Sequence, residues 1–347
     1  MTKHIRLLSA LSLSLVLSAP LLSHAAGGDE DVKKQKLINR SYDVTADDKL
    51  KIDNQFGNVT VSTWDKQQIT VDIEIGASAA TDEKAQNIMD QIEVHEDKDD
   101  HEIYFKTDVN DIHNGNGERH KGEEGKRSFY IDYVIHMPAA NPLYIENSFG
   151  KTAVPDMSGL VNLTSKFGSL TAGKLEQVDA IDVEFGTVAI AEITNGKISL
   201  KFDKESKIGM INGNVKITSE FSQHVQFIVG DDIEDLSVFE SYSGIRLVID
   251  KSLSADIEVH TSFGNFHNES AVSINEHKED EGDYGPHFDK DYSGKAGDGK
   301  AKIRIKSSFG SVRLSYTGGG NDDEDDDKDK DKEKEKNKSR SSSISVS

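Results

Sequence analysis

The stretch ENSFGKTAVPDMSGLVNLTSKFGSLTAGKL, residues 146–175, contains the same Phe-Gly dipeptide twice. Related segments occur elsewhere, as DNQFGNV at 53–59, HTSFGNF at 260–266 and KSSFGSV at 306–312. Aligned on their aromatic residue, the repeats fall at Phe56, Phe149, Phe167, Phe185, Phe202, Phe221, Tyr242, Phe263 and Phe309, and from 149 to 263 they are spaced by 17 to 21 residues. A period of this length indicates a repeat architecture.

Apolar residues alternate with polar ones on the N-terminal side of each aromatic residue. Val161 and Leu163 precede Phe167, and apolar residues two positions apart also precede Phe185 and Phe263. A period of two is typical of a β-strand with one buried face. Each repeat is therefore predicted to contain a strand that leads into the Phe-Gly dipeptide.

The alternation changes phase at the dipeptide. Small polar residues stand two positions before the aromatic in six repeats, at Asn54, Asn147, Ser165, Ser219, Thr261 and Ser307. The third residue after it is apolar in most repeats, as at Val59, Leu170, Val188, Ile245, Phe266 and Val312. One residue is thus used in a bend. We expect the Phe to fill the core and the Gly to take the positive φ of the bend.

The predicted corner and ladder residues are Phe56, Gly57, Phe149, Gly150, Phe167, Gly168, Phe185, Gly186, Phe263, Gly264, Phe309 and Gly310. Asp203, Ser222 and Ser243 replace the glycine in three repeats. The predicted fold class is all-β: a single-stranded β-solenoid with tandem rungs of 17–21 residues and a small strand-helix-strand insertion near the N-terminus. An antiparallel sandwich of short strands is the open alternative, since its turn spacing is similar.

Composition and repeats divide the chain into four parts, the third of which contains two interruptions. These are a signal peptide at 1–26, a lead at 27–44, the solenoid domain at 45–316 and a charged tail at 317–347, with a polar loop at 273–299 and an insertion at 65–138 inside the solenoid. Within the insertion we predict strands at 68–75, 102–107 and 128–137 and a helix at 82–91 that begins at an N-cap, Thr81.

The first 26 residues have the layout of a secretory signal peptide. Lys3 and Arg6 precede an apolar stretch at 7–22, and small residues surround His24. A membrane-spanning helix is the alternative, although the apolar stretch is short and contains four serines. Export to the periplasm, cell surface or medium is the prediction. The chain has no cysteine, which excludes disulfides and a lipid anchor on cysteine.

The charge of the chain limits its partners. With 41 Lys and Arg against 62 Asp and Glu, the formal net charge is -21. This argues against nucleic acid, which requires a cationic surface, and against adsorption to anionic lipid. The tail contains six consecutive acidic residues at 322–327 and is expected to be a disordered, solvating segment. Weak divalent cation binding by the tail is the alternative.

No catalytic motif stands out. The chain lacks GxSxG, HExxH and a phosphate-binding loop, and the neighbouring carboxylates Asp182 and Glu184 are what a solvated acidic face supplies. Histidines cluster in the two predicted loops, at His113, His120, His267, His277 and His287. Their spacing does not match a zinc site, which remains an alternative to solvated histidines. We predict no catalytic residue, metal or cofactor.

The segment VIHMPAANPLYIENSFGKTAVPDMSGLVNLTSKFGSLTAGKL, residues 134–175, resembles the bacterial "putative adhesin" family, a domain of unknown function. TWDKQQITVDIEI at 63–75 and DEKAQNIMDQIEV at 82–94 are similar to the leading segment of that family. The resemblance covers roughly residues 45–316. It implies an exported β-solenoid of the cell envelope or surface and supplies no catalytic residues.

Two classes of function follow from these observations. The first is a non-enzymatic adhesin or structural scaffold that presents a repetitive polar β-surface to a glycan, an envelope protein or its own copies. The second is a sensor or regulator of envelope stress that uses the same surface for recognition. A polysaccharide-processing enzyme ranks third, because it requires a carboxylate arrangement that the sequence does not single out.

Overall fold

The computed structural model describes residues 31–110, 127–277 and 288–317. This part of the chain is nearly all β, with an open sheet and one helix, as the all-β prediction requires. The predicted signal peptide and the charged tail beyond Thr317 lie outside the described residues. So do His113, His120 and His287.

The N-terminal part contains seven strands and the helix. They are β1 (Val32–Asp43), β2 (Lys49–Gln55), β3 (Val59–Thr63), β4 (Gln68–Ala79), α1 (Asp82–Met89), β5 (Ile92–Lys98), β6 (Glu102–Val109) and β7 (Ser128–Met137). The lead and the predicted insertion thus add two strands that the sequence pattern did not show, β1 and β5.

Fourteen strands follow among the described residues. The central ones are β8 (Leu143–Ser148), β9 (Lys151–Val154), β10 (Met157–Lys166), β11 (Ser169–Glu184), β12 (Thr187–Lys201), β13 (Glu205–Glu220), β14 (Val225–Ser241) and β15 (Gly244–Ile249). The C-terminal ones are β16 (Ala255–Ser262), β17 (Asn265–Asn268), β18 (Ile274–His277), β19 (Asp289–Ala296), β20 (Ala301–Ser308) and β21 (Ser311–Tyr316).

The strands form two parallel columns that meet at the Phe-Gly bends. The column before the bends runs β6, β2, β8, β10, β11, β12, β13, β14, β20, β16. The column after them runs β7, β3, β9, β11, β12, β13, β14, β15, β21, β17. Each of the long strands β11 to β14 belongs to both columns, which joins one repeat to the next.

The last repeat in the chain is not the last in space. Strand β20 pairs with β14 on one side and with β16 on the other, and β21 lies between β15 and β17. The repeat at Phe309 therefore sits between those at Tyr242 and Phe263, which corrects the chain order implied by the alignment. Strand β19 pairs antiparallel with the outer edge of β16. The chain then returns through β20, which occupies the space between β14 and β16.

The segment 273–299 is not simply a loop. Its described residues include β18 and β19, which pair antiparallel with each other, and β19 covers the edge formed by β16. At the opposite end, β5 pairs antiparallel with β6, and β4 pairs antiparallel with β1 and β7. Antiparallel strands thus end the first column on both sides and the second column at β7, which limits further strand addition at these three edges.

Helix α1 packs against β1 and β4 at the N-terminal end. Its N-cap is Thr81, whose hydroxyl accepts a hydrogen bond from the Lys84 N–H at 3.2 Å, as predicted. Ala85 and Ile88 are its buried residues, whereas Ile92 already belongs to β5. The helix ends at Met89, two residues before the predicted boundary.

The core consists of the alternating apolar residues of both columns. Leu163, Val183 and Leu200 are fully buried in successive strands of the first column, and Leu170 and Val188 are buried in the second. The six small polar residues two positions before the aromatic are also buried. These placements agree with the period-two prediction.

The aromatic residues of the repeats do not fill the core. All nine have φ between 52° and 63°, and eight of them have about half of their surface exposed. Phe56 is the more covered exception, because Phe129 packs on it. Strand alternation alone would point each ring into the core. The left-handed backbone at the aromatic residue turns the ring to the outside instead. The predicted inward Phe ladder is therefore wrong: the ladder lies on the surface.

The glycines of the motif have a different role from the predicted one. None of the six motif glycines has a positive φ. A Cβ on Gly150 or Gly168 would lie 1.7 Å or 1.9 Å from the carbonyl oxygen of the glycine in the preceding repeat. Glycine is needed because the backbones of stacked bends approach closely, whereas the aromatic residue adopts the strained conformation.

Candidate functional site

A continuous row of aromatic rings runs along the outside of the bends. We call it the aromatic ridge, and its order in space is Phe56, Phe149, Phe167, Phe185, Phe202, Phe221, Tyr242, Phe309, Phe263 and Phe288. Neighbouring ring centroids are 4.5–5.2 Å apart. The rings are nearly parallel, with interplanar angles of 2–6° except for 17° at the last pair. Strand spacing in the ladder sets this distance.

The ridge exposes ring edges rather than ring faces. Inside the row each ring face is covered by a neighbouring ring, yet the nine rings from Phe149 to Phe288 remain 45–53% exposed. A Phe or Tyr side chain has a surface of about 200 Å², so the ridge exposes about 900 Å² of apolar surface. Monomeric proteins seldom expose an apolar patch of this size, so the ridge is the candidate interaction surface of this structure.

Charged residues of alternating sign flank the middle of the ridge. Lys166, Glu184, Lys201 and Glu220 each directly precede a ridge residue, and they pair in register across β10, β11, β12 and β13. All four are half-buried at their outward position. The row continues with serines, Ser241, Ser308 and Ser262. The flank of the ridge is therefore a Lys-Glu-Lys-Glu pattern, one charge per strand.

Buried amides support the first bends. Asn54 Nδ2 donates to the carbonyl oxygen of Ile131 at 3.1 Å, and Asn147 Nδ2 donates to that of Gly57 at 3.1 Å. Asn54 also donates to Asn147 Oδ1 at 3.2 Å, so the two side chains form a short ladder inside the protein. These two amides satisfy carbonyl groups of neighbouring strands and bends, whereas the buried hydroxyls of Ser165, Thr261 and Ser307 have no hydrogen-bond partner among the described residues.

The three repeats without a glycine use a side-chain ladder instead. Asp203 Oδ1 accepts from the N–H of Gly186 at 3.0 Å, Ser222 Oγ from that of Asp203 at 3.1 Å, and Ser243 Oγ from that of Ser222 at 3.0 Å. Glu240 Oε1 completes the series by accepting from the Ser243 N–H at 2.6 Å. The side chain of each replacement thus accepts a hydrogen bond from a backbone N–H in the bend of the preceding repeat.

Two carboxyl groups in this ladder are buried. Burial raises the pKa of Asp203 to about 6, although hydrogen bonds from Gly186 and Ser206 oppose the shift. Burial also raises the pKa of Glu240, against the hydrogen bond that the Ser243 N–H donates to its Oε1. Both groups are turned inward beneath the bends and serve the backbone, so neither is placed to act on a molecule at the surface.

Of the five histidines placed in the two loops, the structure describes His267 and His277. His277 Nε2 lies 2.6 Å from Ser293 Oγ, and His267 lies on β17. Among residues 31–110, 127–277 and 288–317, no group of three metal-ligating side chains occurs. Asp182 and Glu184 both face outward from β11. Within these ranges no helix is long and apolar enough to cross a membrane.

Sequence reasoning missed two contributors to the ridge. Phe288 stacks on Phe263 at the C-terminal end, and Phe129 meets Phe56 edge-on at 5.1 Å at the other end. Neither belongs to a Phe-Gly motif, so alignment on the motif could not identify them. Phe288 directly precedes β19, which pairs antiparallel with β16, and Phe129 lies on β7, which pairs parallel with β3.

Comparison with known proteins adds little. No family model and no curated protein matches the chain. The chain is similar to a solved structure of a "putative cell adhesion protein" from Clostridium sporogenes, with 12% identity, a TM-score of 0.26, and coverage of 82% of this chain and 100% of that one. It is also similar to a "putative adhesin" from Bacteroides fragilis, with 13% identity, a TM-score of 0.33, and coverage of 80% and 97%. Similarity at this level carries no argument, so the family resemblance stays a prediction.

Proposed function

We propose that this chain is an exported, non-enzymatic interaction protein of the adhesin or scaffold kind. In this proposal, residues 45–316 wind as a single-stranded β-solenoid whose bends present the aromatic ridge. The exposed ridge is the observation that carries the proposal, because about 900 Å² of apolar ring edges in water favours a partner that covers it. The two parallel columns in register support the solenoid.

The partner we propose for the ridge is a second copy of the chain. A stable interface buries about 800 Å² on each side, close to what the ridge exposes. The spacing of the ridge is regular, since its rings follow the strand spacing. A second ridge offers the same spacing of ring edges, so the two surfaces match along their whole overlap. Most homo-oligomers are two-fold symmetric, which this pairing allows.

The charge pattern selects an antiparallel arrangement. A two-fold axis perpendicular to the ridge, midway between the repeats of Phe185 and Phe202, keeps each flank facing the same flank of the second copy. Lys201 then faces Glu184 of the second copy, and Lys166 faces Glu220 of the second copy. In antiparallel pairing, each Lys of the Lys-Glu-Lys-Glu row therefore faces a Glu of the second copy. In parallel pairing, the charged flanks of the two copies do not face each other.

Sedimentation equilibrium of the mature chain tests the pairing, with dimer expected at micromolar concentration. Glu184→Lys and Lys201→Glu should each weaken the dimer at least tenfold, because each places like charges opposite each other twice. The double variant Glu184→Lys/Lys201→Glu restores opposite charges and should restore the dimer. Lys174→Glu, away from the ridge on β11, is the matched control and should dimerise normally.

A monomer at all concentrations up to 100 µM would overturn self-association. Cross-linking of the exported protein in intact cells then identifies the molecule that covers the ridge. Binding to whole cells or glycan irrespective of stress supports an adhesin, whereas a partner found only under envelope stress supports a sensor. Turnover of a polysaccharide by the purified chain would contradict the non-enzymatic proposal.

A further inference from the structure

A basic groove lies beside the ridge in this strongly acidic chain. It has a volume of about 890 Å³, and among its lining residues are Lys204, Lys207, Arg246 and Arg313, together with His224 and His267. Glu205 is the acidic residue of its lining. Ligand sites commonly have volumes of this order. We propose that this groove binds an acidic polysaccharide.

The basic side chains form a row across five strands. Lys207 on β13 pairs in register with Gln226 on β14, Gln226 with Arg246 on β15, and Arg246 with Arg313 on β21. Arg313 in turn pairs with His267 on β17. Strand spacing is about 4.8 Å, so the row extends about 19 Å over the surface. A row of this length suits an extended polyanion that carries a charge on successive units.

Among the described residues, the positive charge of the two arginines in this row is only partly neutralised. Glu269 Oε1 lies 3.1 Å from Arg313 Nε, and its Oε2 lies 3.6 Å from Arg246 Nη2, so one carboxylate is shared by two guanidinium groups. Lys207 is paired with Glu205 at 2.7 Å. Arg246 Nε is buried and has no hydrogen-bond partner among the described residues. The two arginines carry one positive charge more than this carboxylate offsets, and a bound anion would balance it.

The shape of the groove comes from the glycine-free repeats. The bend after Phe221 is one residue longer than the glycine bends, and His224 takes a positive φ of 47° within it. On the next strand, Gly244 leaves an opening, since a Cβ there would meet only Ser311 Oγ at 3.5 Å. The longer bend after Phe221 and the absence of a side chain at Gly244 create a depression beside Tyr242, which has room for a bulky polar sugar unit.

The surroundings favour a polysaccharide over an acidic peptide. Gln223, Gln226 and Ser311 add neutral donors and acceptors suited to hydroxyl groups. The backbone of β14, β15 and β21 is already paired on both sides in the ladder, so a peptide cannot bind there as an added strand. The groove thus offers side-chain contacts to charge and hydroxyl, which is what a polyuronate or a sulfated glycan presents.

The test is binding of fluorescent polygalacturonate and dextran sulfate to the mature chain, measured by anisotropy, with neutral dextran and poly-glutamate as comparisons. Both anionic polysaccharides should bind, dextran should not, and affinity should fall as salt rises. The double variant Arg246→Gln/Arg313→Gln should bind at least tenfold more weakly. The matched control Lys302→Gln/Lys306→Gln changes the same charge on β20, outside the groove, and should bind as wild type does.

Because removal of two arginines leaves Glu269 unpaired, a second variant guards against misfolding. Gln226→Glu keeps the side-chain size and places a negative charge in the middle of the row, so it should also lose at least tenfold in affinity with an unchanged melting temperature. Equal binding by this variant and wild type overturns the proposal. So does tighter binding of poly-glutamate than of either polysaccharide, or no binding of either polysaccharide below 1 mM. Sedimentation equilibrium tests self-association through the ridge separately, so either proposal can fail without the other.

Discussion

The bends at Phe149 and Phe167 and those at Phe202 and Phe221 produce the same ridge by different means. In the first pair, glycine lets the backbones of stacked repeats approach so closely that a Cβ cannot fit. In the second pair, Asp203 and Ser222 occupy the glycine position and accept a hydrogen bond from the bend below. Ring stacking at about 5 Å is the same in both regions.

The difference shows what the repeat requires. The aromatic residue with a left-handed backbone is present in every bend. The next position is either a glycine, which allows close backbone approach, or a polar residue whose side chain accepts a backbone hydrogen bond. A left-handed Phe costs about 1 kcal/mol, which stacking on two neighbours can offset. The glycine-free bends are also where the basic groove forms, because the longer bend disturbs the surface. Equal spacing of the bends thus produces the ridge, and the longer glycine-free bends produce the groove.

The largest effect is expected where a side chain is added to a glycine bend. Gly168→Ala places a Cβ 1.9 Å from the Gly150 carbonyl oxygen and should destabilise the protein by at least about 3 kcal/mol. The matched control Gly244→Ala meets only Ser311 Oγ at 3.5 Å and should change stability by less than about 1 kcal/mol. Chemical denaturation measures both. Equal costs would show that close approach does not explain the glycine.

The next effect separates the core from the ridge. Leu200→Ala removes a fully buried side chain and should cost about 2–5 kcal/mol. Phe185→Ala removes a half-exposed ring that stacks on two neighbours and should cost only about 1–2 kcal/mol. Urea unfolding curves of the two variants give the comparison. If Phe185→Ala costs as much as Leu200→Ala, the rings contribute to stability as core residues do.

A smaller effect tests the side-chain ladder. Ser222→Ala removes the acceptor for the buried N–H of Asp203 and should cost about 1–2 kcal/mol. Ser169→Ala, beside a glycine bend, is the control and should lie within about 0.5 kcal/mol of wild type. Thermal unfolding at pH 7 distinguishes them. A neutral Ser222→Ala would mean that the ladder does not replace the glycine.

The smallest effect depends on pH. Because the folded protein raises the pKa of Asp203 to about 6 from an ordinary value of 3.8, the unfolded chain loses this proton first as pH rises, and stability falls between about pH 4 and pH 6. Asp203→Asn keeps an acceptor without the charge. Its melting temperature should exceed that of wild type by about 2–4 °C at pH 8, and the gain should shrink towards pH 4. A gain that is independent of pH contradicts the burial of a charge.

Much of this protein is determined by local pattern. Period-two alternation placed the strands, and β7 has the predicted bounds, because a half-buried strand needs apolar residues on one face. The spacing of the Phe-Gly motif located the bends, and the change of phase showed that one residue is used in each. The cap of α1 at Thr81 was also predicted, since capping depends on neighbours in the chain.

Tertiary structure decided which residue of each bend takes which role. Alternation assigns a Phe to the core, yet the left-handed backbone at that Phe turns the ring outward, and stacking between repeats decides this rather than the residues on either side. The insertion of β20 between β14 and β16, the arrival of Phe288 at the ridge and the row from Lys207 to His267 likewise depend on pairing between strands far apart in the chain. A pattern read along one strand contains no information about which distant strand becomes its neighbour.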